Sequence, residues 1–360
     1  MSTGEAVLHG HTRGSNWNHW PWLHSKGWDL SFITLSSVLV IIPLALYEFV
    51  GHSAAFVNLF IAGIIGGPHM YATFFRTTLD RPFRQRHRVL MRTSLLIPVL
   101  VVLLALWNFQ LLITMFFFWA SIHVLHQIAY ILECYDRRQH HTLQRWSRVI
   151  DYAVVLTCLF PVTSYKFIHD KFYIGNTLLL YPEMLKTPLV FYAVSTVFAL
   201  ALLFFIGKTV VEIWHGTAHY PKILLVMITV SLALLTTSYS GERLEIAFQG
   251  FNTWHSFQYL ALTWYINTLR RQRGDIESPM LQWLSEVGKG RFYYFYGVNV
   301  ALTFGALCLI GIVFALSGLP FEHSYYIVVL SFLLVHYYHD HVLFTQFGEL
   351  VRPTERSSPA

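Results

Sequence analysis

Charge is the first thing this sequence is short of: only 12% of its 360 residues are Asp, Glu, Lys or Arg. A soluble domain carries about 25%. Half that value leaves too little polar surface to solvate a globule of this size, which excludes an ordinary water-soluble fold. Cysteine is scarce as well. Cys134, Cys158 and Cys308 stand far apart and form no CxxC pair, which argues against a disulfide framework or a thiolate metal site and in favour of buried, inert thiols. A cleavable leader is also missing. Residues 1–28 are polar and aromatic, with no short apolar core and no small-residue cleavage site, so the first span is expected to serve as an uncleaved anchor. No internal repeat and no low-complexity tract appears.

Apolar residues fill the space that charge leaves. Hydrophobic residues make up 55% of the chain and aromatic residues 17%, among them 29 Phe, 20 Tyr and 11 Trp. The mean hydropathy is +0.48. Runs of about 20 apolar residues read as membrane spans, and Trp and Tyr suit the two interfaces. Ten spans are expected, at roughly 29–49, 54–75, 90–107, 110–133, 149–166, 188–208, 221–240, 246–269, 292–318 and 323–346. The fold class is therefore all-α, a polytopic transmembrane helix bundle. The span at 246–269 is the most polar, with Gln249, Asn252, His255 and Gln258, and must be sheltered by its neighbours. With both termini inside (N-in/C-in), ten spans leave only Lys166, Lys171, Lys186 and Arg243 outside, so 21 of the 25 basic residues lie inside. This is the positive-inside pattern; a miscount by one span midway would destroy it. It also accounts for the net charge of +6 without any nucleic-acid partner.

One transmembrane domain, 29–346, is expected between a cytoplasmic N-terminal segment, 1–28, and a short disordered cytoplasmic tail, 347–360. Absence of a leader and of disulfides fits a bacterial inner (cytoplasmic) membrane. The stretch 166–187 is the longest outer loop. Ser278-Pro279 is a helix start for a short surface helix with Met280, Leu281, Leu284 and Val287 on one face and Gly288 as its end. Gly66-Gly67-Pro68 is expected to break or kink the second span, either to open the backbone for function or to pack helices tightly. Glu242 and Glu245 read as an exposed boundary, and Glu133 and Asp136 as partners of Arg137 or Arg138.

Histidine carries the functional signal, with 19 residues. His9, His11, His19 and His24 precede the first span, and His87, His140 and His141 sit in basic inner loops. Others fall inside spans: His69 in GGPHMYATF, His123 and His126 in IHVLHQ, His255 in NTWHSFQYL, and His336, His339 and His341 with Asp340 in VHYYHDHVLF. Ionisable groups within a membrane are costly and normally face the bundle interior. At ~1.5 Å per residue, His69, His123, His126, His336, His339 and Asp340 lie about 2–8 Å inward of the midplane, and His255 about 4 Å on the other side. The spacings i, i+3 and i, i+4 put His123 with His126, and His336 with His339 and Asp340, on common faces; His341 points away from Asp340. Imidazole with carboxylate suits iron, zinc, copper or manganese, and paired ligands from facing helices build di-iron centres. The expected metal ligands are thus His69, His123, His126, His255, His336, His339 and Asp340. Tyr259 and Tyr337 are candidate catalytic hydrogen-bond or radical-relay groups. Gln127, Asn252, Gln258, Tyr259, Glu245 and Tyr337 are available to orient ligand rings.

These motifs resemble those of histidine-rich membrane oxygenases. Scattered single histidines on several helices, with WHSFQYL in the C-terminal half, look like the Brp/Blh-type carotene dioxygenases. His255 matches a WHS motif and His69 a Gly/Pro-His element; after WHS this chain has Phe-Gln in place of a second basic residue. The resemblance implies an intramembrane iron held by histidines and O2-dependent cleavage of a carotene. More distantly, His123-x-x-His126 and His336-x-x-His339-Asp340-His341 are similar to the HxxxH and HxxHH boxes of fatty-acid desaturases and hydroxylases. The leading expectation is a non-haem iron oxidoreductase or oxygenase, with two irons, acting on a lipid-soluble carotenoid, isoprenoid or fatty acyl chain and served by an electron-donor protein. Zinc or haem in place of non-haem iron, a b-type haem electron carrier, a histidine-dependent proton or metal transporter and a structural factor are the competing classes.

Overall fold

A computed structural model describes residues 22–138, 145–288 and 290–351. His9, His11, His19, His140, His141 and the tail residues 352–360 lie outside the described residues. The described residues are all-α apart from one two-stranded hairpin. In chain order the helices are α1 (Lys26–Phe49), α2 (Ala54–Arg76), α3 (Arg81–Arg86), α4 (Arg88–Arg138) and α5 (Arg145–His169). The hairpin β1 (Tyr173–Ile174) and β2 (Thr177–Leu178) follows. Then come α6 (Pro188–Trp214), α7 (Tyr220–Ser238), α8 (Glu242–Gln272), α9 (Pro279–Leu284), α10 (Arg291–Ser317), α11 (Phe321–Leu343) and α12 (Gly348–Val351). Seven of these, α1, α2, α4, α5, α6, α7 and α10, are long and apolar enough to cross a membrane. Helices suit lipid because each satisfies its backbone polar groups internally.

Helix α4 is two arms rather than one rod. Asn108 leaves helical geometry (φ −155°, ψ 86°), and its side-chain oxygen accepts from Leu111 N at 2.9 Å, capping a new helix. A straight helix would hold residues 93 and 123 about 45 Å apart. Instead Thr93 Oγ1 lies 2.9 Å from Tyr338 OH, while the His123 ring stacks on neighbouring Tyr337 at 4.0 Å. Both arms therefore reach the same level of α11, and the chain reverses at Asn108.

Side-chain bonds set the direction of the central helices. At one end Asn58 of α2 donates to Glu245 of α8 (2.6 Å), which also accepts from Gly175 N in the hairpin turn (3.2 Å); Glu322 of α11 accepts from Asn176 N (3.2 Å). At the other end Arg76 of α2 pairs with Glu349, Arg270 of α8 with Asp80 (2.7 Å), and Arg138 of α4 donates to Leu350 O (2.7 Å). So α2, the second arm of α4, α8 and α11 run parallel.

Two local expectations, the face of the short surface helix and the disordered tail, are corrected, and two others gain detail. Gly66-Gly67-Pro68 does not break α2; the chain widens to a π-helical turn over Ala62–Gly66 and continues. Gly67 is there for contact, since a Cβ would meet Thr303 of α10 at 2.3 Å. The loop 166–187 is folded, because Gly175 adopts φ +56° and permits a tight turn. Helix α9 ends at Leu284, and only Leu281 and Leu284 of the expected face are buried. The tail is docked over its first residues, because buried Arg76 draws in Glu349 and Leu350 is wholly buried.

Candidate metal centre

Four imidazoles meet in the bundle interior, one each from α2 (His69), α4 (His123), α8 (His255) and α11 (His336), all at most 4% exposed. Their ring centroids form a closed quadrilateral: His69–His255 5.3 Å, His255–His123 5.0 Å, His123–His336 5.0 Å and His336–His69 4.9 Å. One nitrogen from each of His69, His255 and His336 lies within 4.8 Å of the other two, and His123, His336 and Asp340 form a second such group. A metal–imidazole bond of ~2.1 Å puts a ring centroid roughly 3.2 Å from the ion. Four centroids about 5 Å apart surround a point at roughly that distance; the nitrogens of His69, His255 and His336 are close enough to share one ion, whereas His123 groups with His336 and Asp340.

Hydrogen bonds leave the right nitrogens open. His69 Nδ1 lies 2.9 Å from Ser256 Oγ, and His336 Nδ1 lies 2.6 Å from Thr73 Oγ1. With Nδ1–H donating to these hydroxyls, each ring presents a bare Nε2. The Nε2 atoms of His69, His123, His255 and His336 are all buried with no hydrogen-bond partner, as are Nδ1 of His255 and Oδ2 of Asp340. A buried polar group left unpaired is costly, and so many at one point mark the place of an absent partner.

Asp340 stands behind this ring. Its Oδ1 accepts from Tyr259 OH at 2.6 Å and from Thr73 Oγ1 at 3.2 Å, and Tyr259 OH and Thr73 Oγ1 are themselves 2.5 Å apart. Asp340 Oδ2 lies 3.7 Å from His123 Nε2 and 3.5 Å from His336 Nδ1. Thr73 thus relays the carboxylate's negative charge to the His336 ring.

Of the nine residues expected from sequence, His69, His123, His255, His336 and Asp340 come together. Two expected ligands do not join them. His126 is one turn farther along α4, half-buried against His341 and Phe344. His339 is buried, but its Nδ1 bonds Thr77 Oγ1 (3.1 Å) and its ring packs on Phe74. The i, i+3 spacing placed them on the right helices, yet a ring three residues on reaches about 4.5 Å farther along the axis. Tyr259 orients Asp340, and Tyr337 stacks on His123. Gln127 and Gln258 hold backbone carbonyls rather than ligand rings: Gln127 donates to His255 O (3.1 Å) and Gln258 to Ile33 O (2.6 Å). Glu245 serves the hairpin, far from the rings. The sequence assigns Thr73 and Ser256 no role of their own; only the i+4 spacing of Thr73 from His69 and the position of Ser256 beside His255 hint at them.

A cavity of about 780 Å³ leads to the site. Its outer lining includes Asn58, Gly175, Asn176, Glu242, Glu245 and Glu322, and its inner lining His69, Tyr71, Val124 and Tyr337. Comparison of the chain with protein-family models, with curated proteins and with solved structures gave no match.

Proposed function

We propose that the protein is a membrane oxidoreductase in which His69, His255 and His336, with His123 as fourth ligand, hold one non-haem metal ion, iron by resemblance, beside a cavity for a lipid-soluble substrate. The observation that carries this reading is the set of four unpartnered Nε2 atoms, one from each of four parallel helices. Such an ion supplies redox and O2 chemistry. The protein's own residues orient the rings through Ser256 and Thr73, hold a compensating negative charge at Asp340 through Tyr259, and exclude water by burial.

One ion fits better than two. His336 belongs to both ligand groups, but its Nδ1 is engaged by Thr73, so it has one nitrogen to give. Asp340 is the only carboxylate among them, which leaves no bridging pair. Haem fits poorly, because rings in mutual contact at 4.9–5.3 Å leave no slot for a macrocycle. A transport path is not favoured either: of the four rings only His69 lines the cavity.

The wider reading is a ten-crossing protein with both termini inside. The reversal at Asn108 supplies two crossings from α4, and the polar helices α8 and α11 cross in the shelter of their neighbours. The excess of basic residues at the inner end supports that orientation.

Elemental analysis of the purified full-length protein tests the centre. The expected result is about one iron per chain and no Soret band, with iron lost in His255→Ala and His336→Ala. A folded wild-type protein that carries no transition metal, and takes up none when iron or zinc is added, overturns the reading.

A further inference from the structure

The cavity has two ends of different chemistry. Its outer end carries the carboxylates of Glu242, Glu245 and Glu322, and no lysine or arginine lines it anywhere among the described residues. These carboxylates are built in: Tyr47 OH donates to Glu242 (2.7 Å), Asn58 and Gly175 N hold Glu245, and Asn176 and Thr177 hold Glu322. The shaft between is aromatic, with Phe117, Phe167, Phe172, Phe248, Tyr325 and Tyr326 in its wall. Among the cavity-lining residues two buried side chains hold a polar atom without a partner: His69, through Nε2, and Tyr71, through its hydroxyl. Tyr71 is 4% exposed; its ring is fixed against Phe332 at 5.5 Å. A phenol so buried is a hydrogen-bond donor waiting for an acceptor that enters with the ligand. Phe56 and Leu59 of α2 line the cavity and are about half exposed.

We infer that this cavity selects electrically neutral, elongated lipids that carry an oxygen, with Tyr71 as the donor to that oxygen and the three outer carboxylates rejecting anionic amphiphiles such as free fatty acids. Like charge brought beside like charge, with no lysine or arginine in the lining to offset it, is the repulsive half of specificity. Chain length and apolar character are read by the aromatic wall, and oxygen by Tyr71. The inference deepens the proposed function by naming its substrate class, but it concerns binding and does not need the ion.

The test is competition at pH 8 on the full-length protein in nanodiscs of neutral lipid, with hexadecanol, hexadecanoate and hexadecane displacing a fluorescent polyene alcohol. Hexadecanol is expected to compete at least tenfold better than hexadecanoate. Tyr71→Phe should weaken hexadecanol about tenfold, the upper range for one neutral hydrogen bond, and leave hexadecane unchanged. Glu245→Gln with Glu322→Gln should close the gap between alcohol and acid. Hexadecanoate competing as well as hexadecanol in the wild type overturns the inference, as does an unchanged hexadecanol affinity in folded Tyr71→Phe. The wild-type ranking decides even where a variant fails to fold. Metal-free His255→Ala should keep the same ranking, so a failed metal centre and a failed cavity assignment give different results.

Discussion

Two buried polar clusters share this bundle, and they are finished differently. Between α4, α5, α6 and α7, Lys222 lies 2.8 Å from both Asp136 and Asp151, and Lys208 pairs with Asp151 and stands 3.7 Å from Glu212. Each charge there has its opposite in contact. The sequence pairs Asp136 with Arg137 or Arg138; in the structure it takes Lys222, three helices on along the chain, because that ammonium is just as buried and needs it. The histidine cluster lies at similar depth of burial, yet its open nitrogens have no partner within the protein. Charges matched internally hold helices together; open lone pairs aimed at one point await a ligand. Burial alone does not separate structure from function, and neither does a single open atom, since Asp136 Oδ2 and His339 Nε2 are open too; the convergence of several open nitrogens on one point does.

That contrast predicts opposite phenotypes. The largest effect is expected at the rings: His336→Ala should abolish iron binding by elemental analysis while melting in detergent near the temperature of the wild type stripped of metal. Asp151→Asn should do the reverse. Removing one partner of a buried ionic cluster costs about 3–5 kcal/mol, read as a lower melting temperature, with iron per folded chain unchanged. Replacing Lys208 and Asp151 together by Met and Leu should recover much of that loss. A smaller effect is expected at Thr73→Val, which keeps the shape but removes the hydroxyl that orients His336; metal affinity should fall about 10–100-fold, measured by chelator competition. The smallest is expected at His126→Ala and His339→Ala, which should each retain iron within twofold. Loss of iron in either would move the centre one turn inward and break the distinction drawn here.

Much of the site was legible in the sequence. Histidines inside apolar spans are expensive enough that placing them at one depth pointed to His69, His123, His255, His336 and Asp340. Depth is nearly a linear function of residue number in a helix, so a sequence reports it well. Rotation about the axis, and which ring nitrogen is already taken, are not linear in anything the sequence displays. His126 and His339 passed the depth criterion, and the structure turned them toward Phe344 and Thr77. Thr73, Ser256 and Tyr71 matter through contacts with residues up to 263 positions away, and small hydroxyl residues in a span carry no signal of their own.

Composition and the spacing of apolar runs point by themselves to an all-α protein with long membrane-type helices, because runs of about 20 apolar residues suit helices that satisfy their backbone groups locally and are too long for barrel strands. Even the break at Asn108 lies between two runs that can be read from the sequence. Which four rings meet, which nitrogens stay free, and where the cavity reaches them were decided only by tertiary packing. They depend on helix rotation and on contacts such as Thr303 against Gly67, and those follow from the shapes of neighbours that lie far off along the chain.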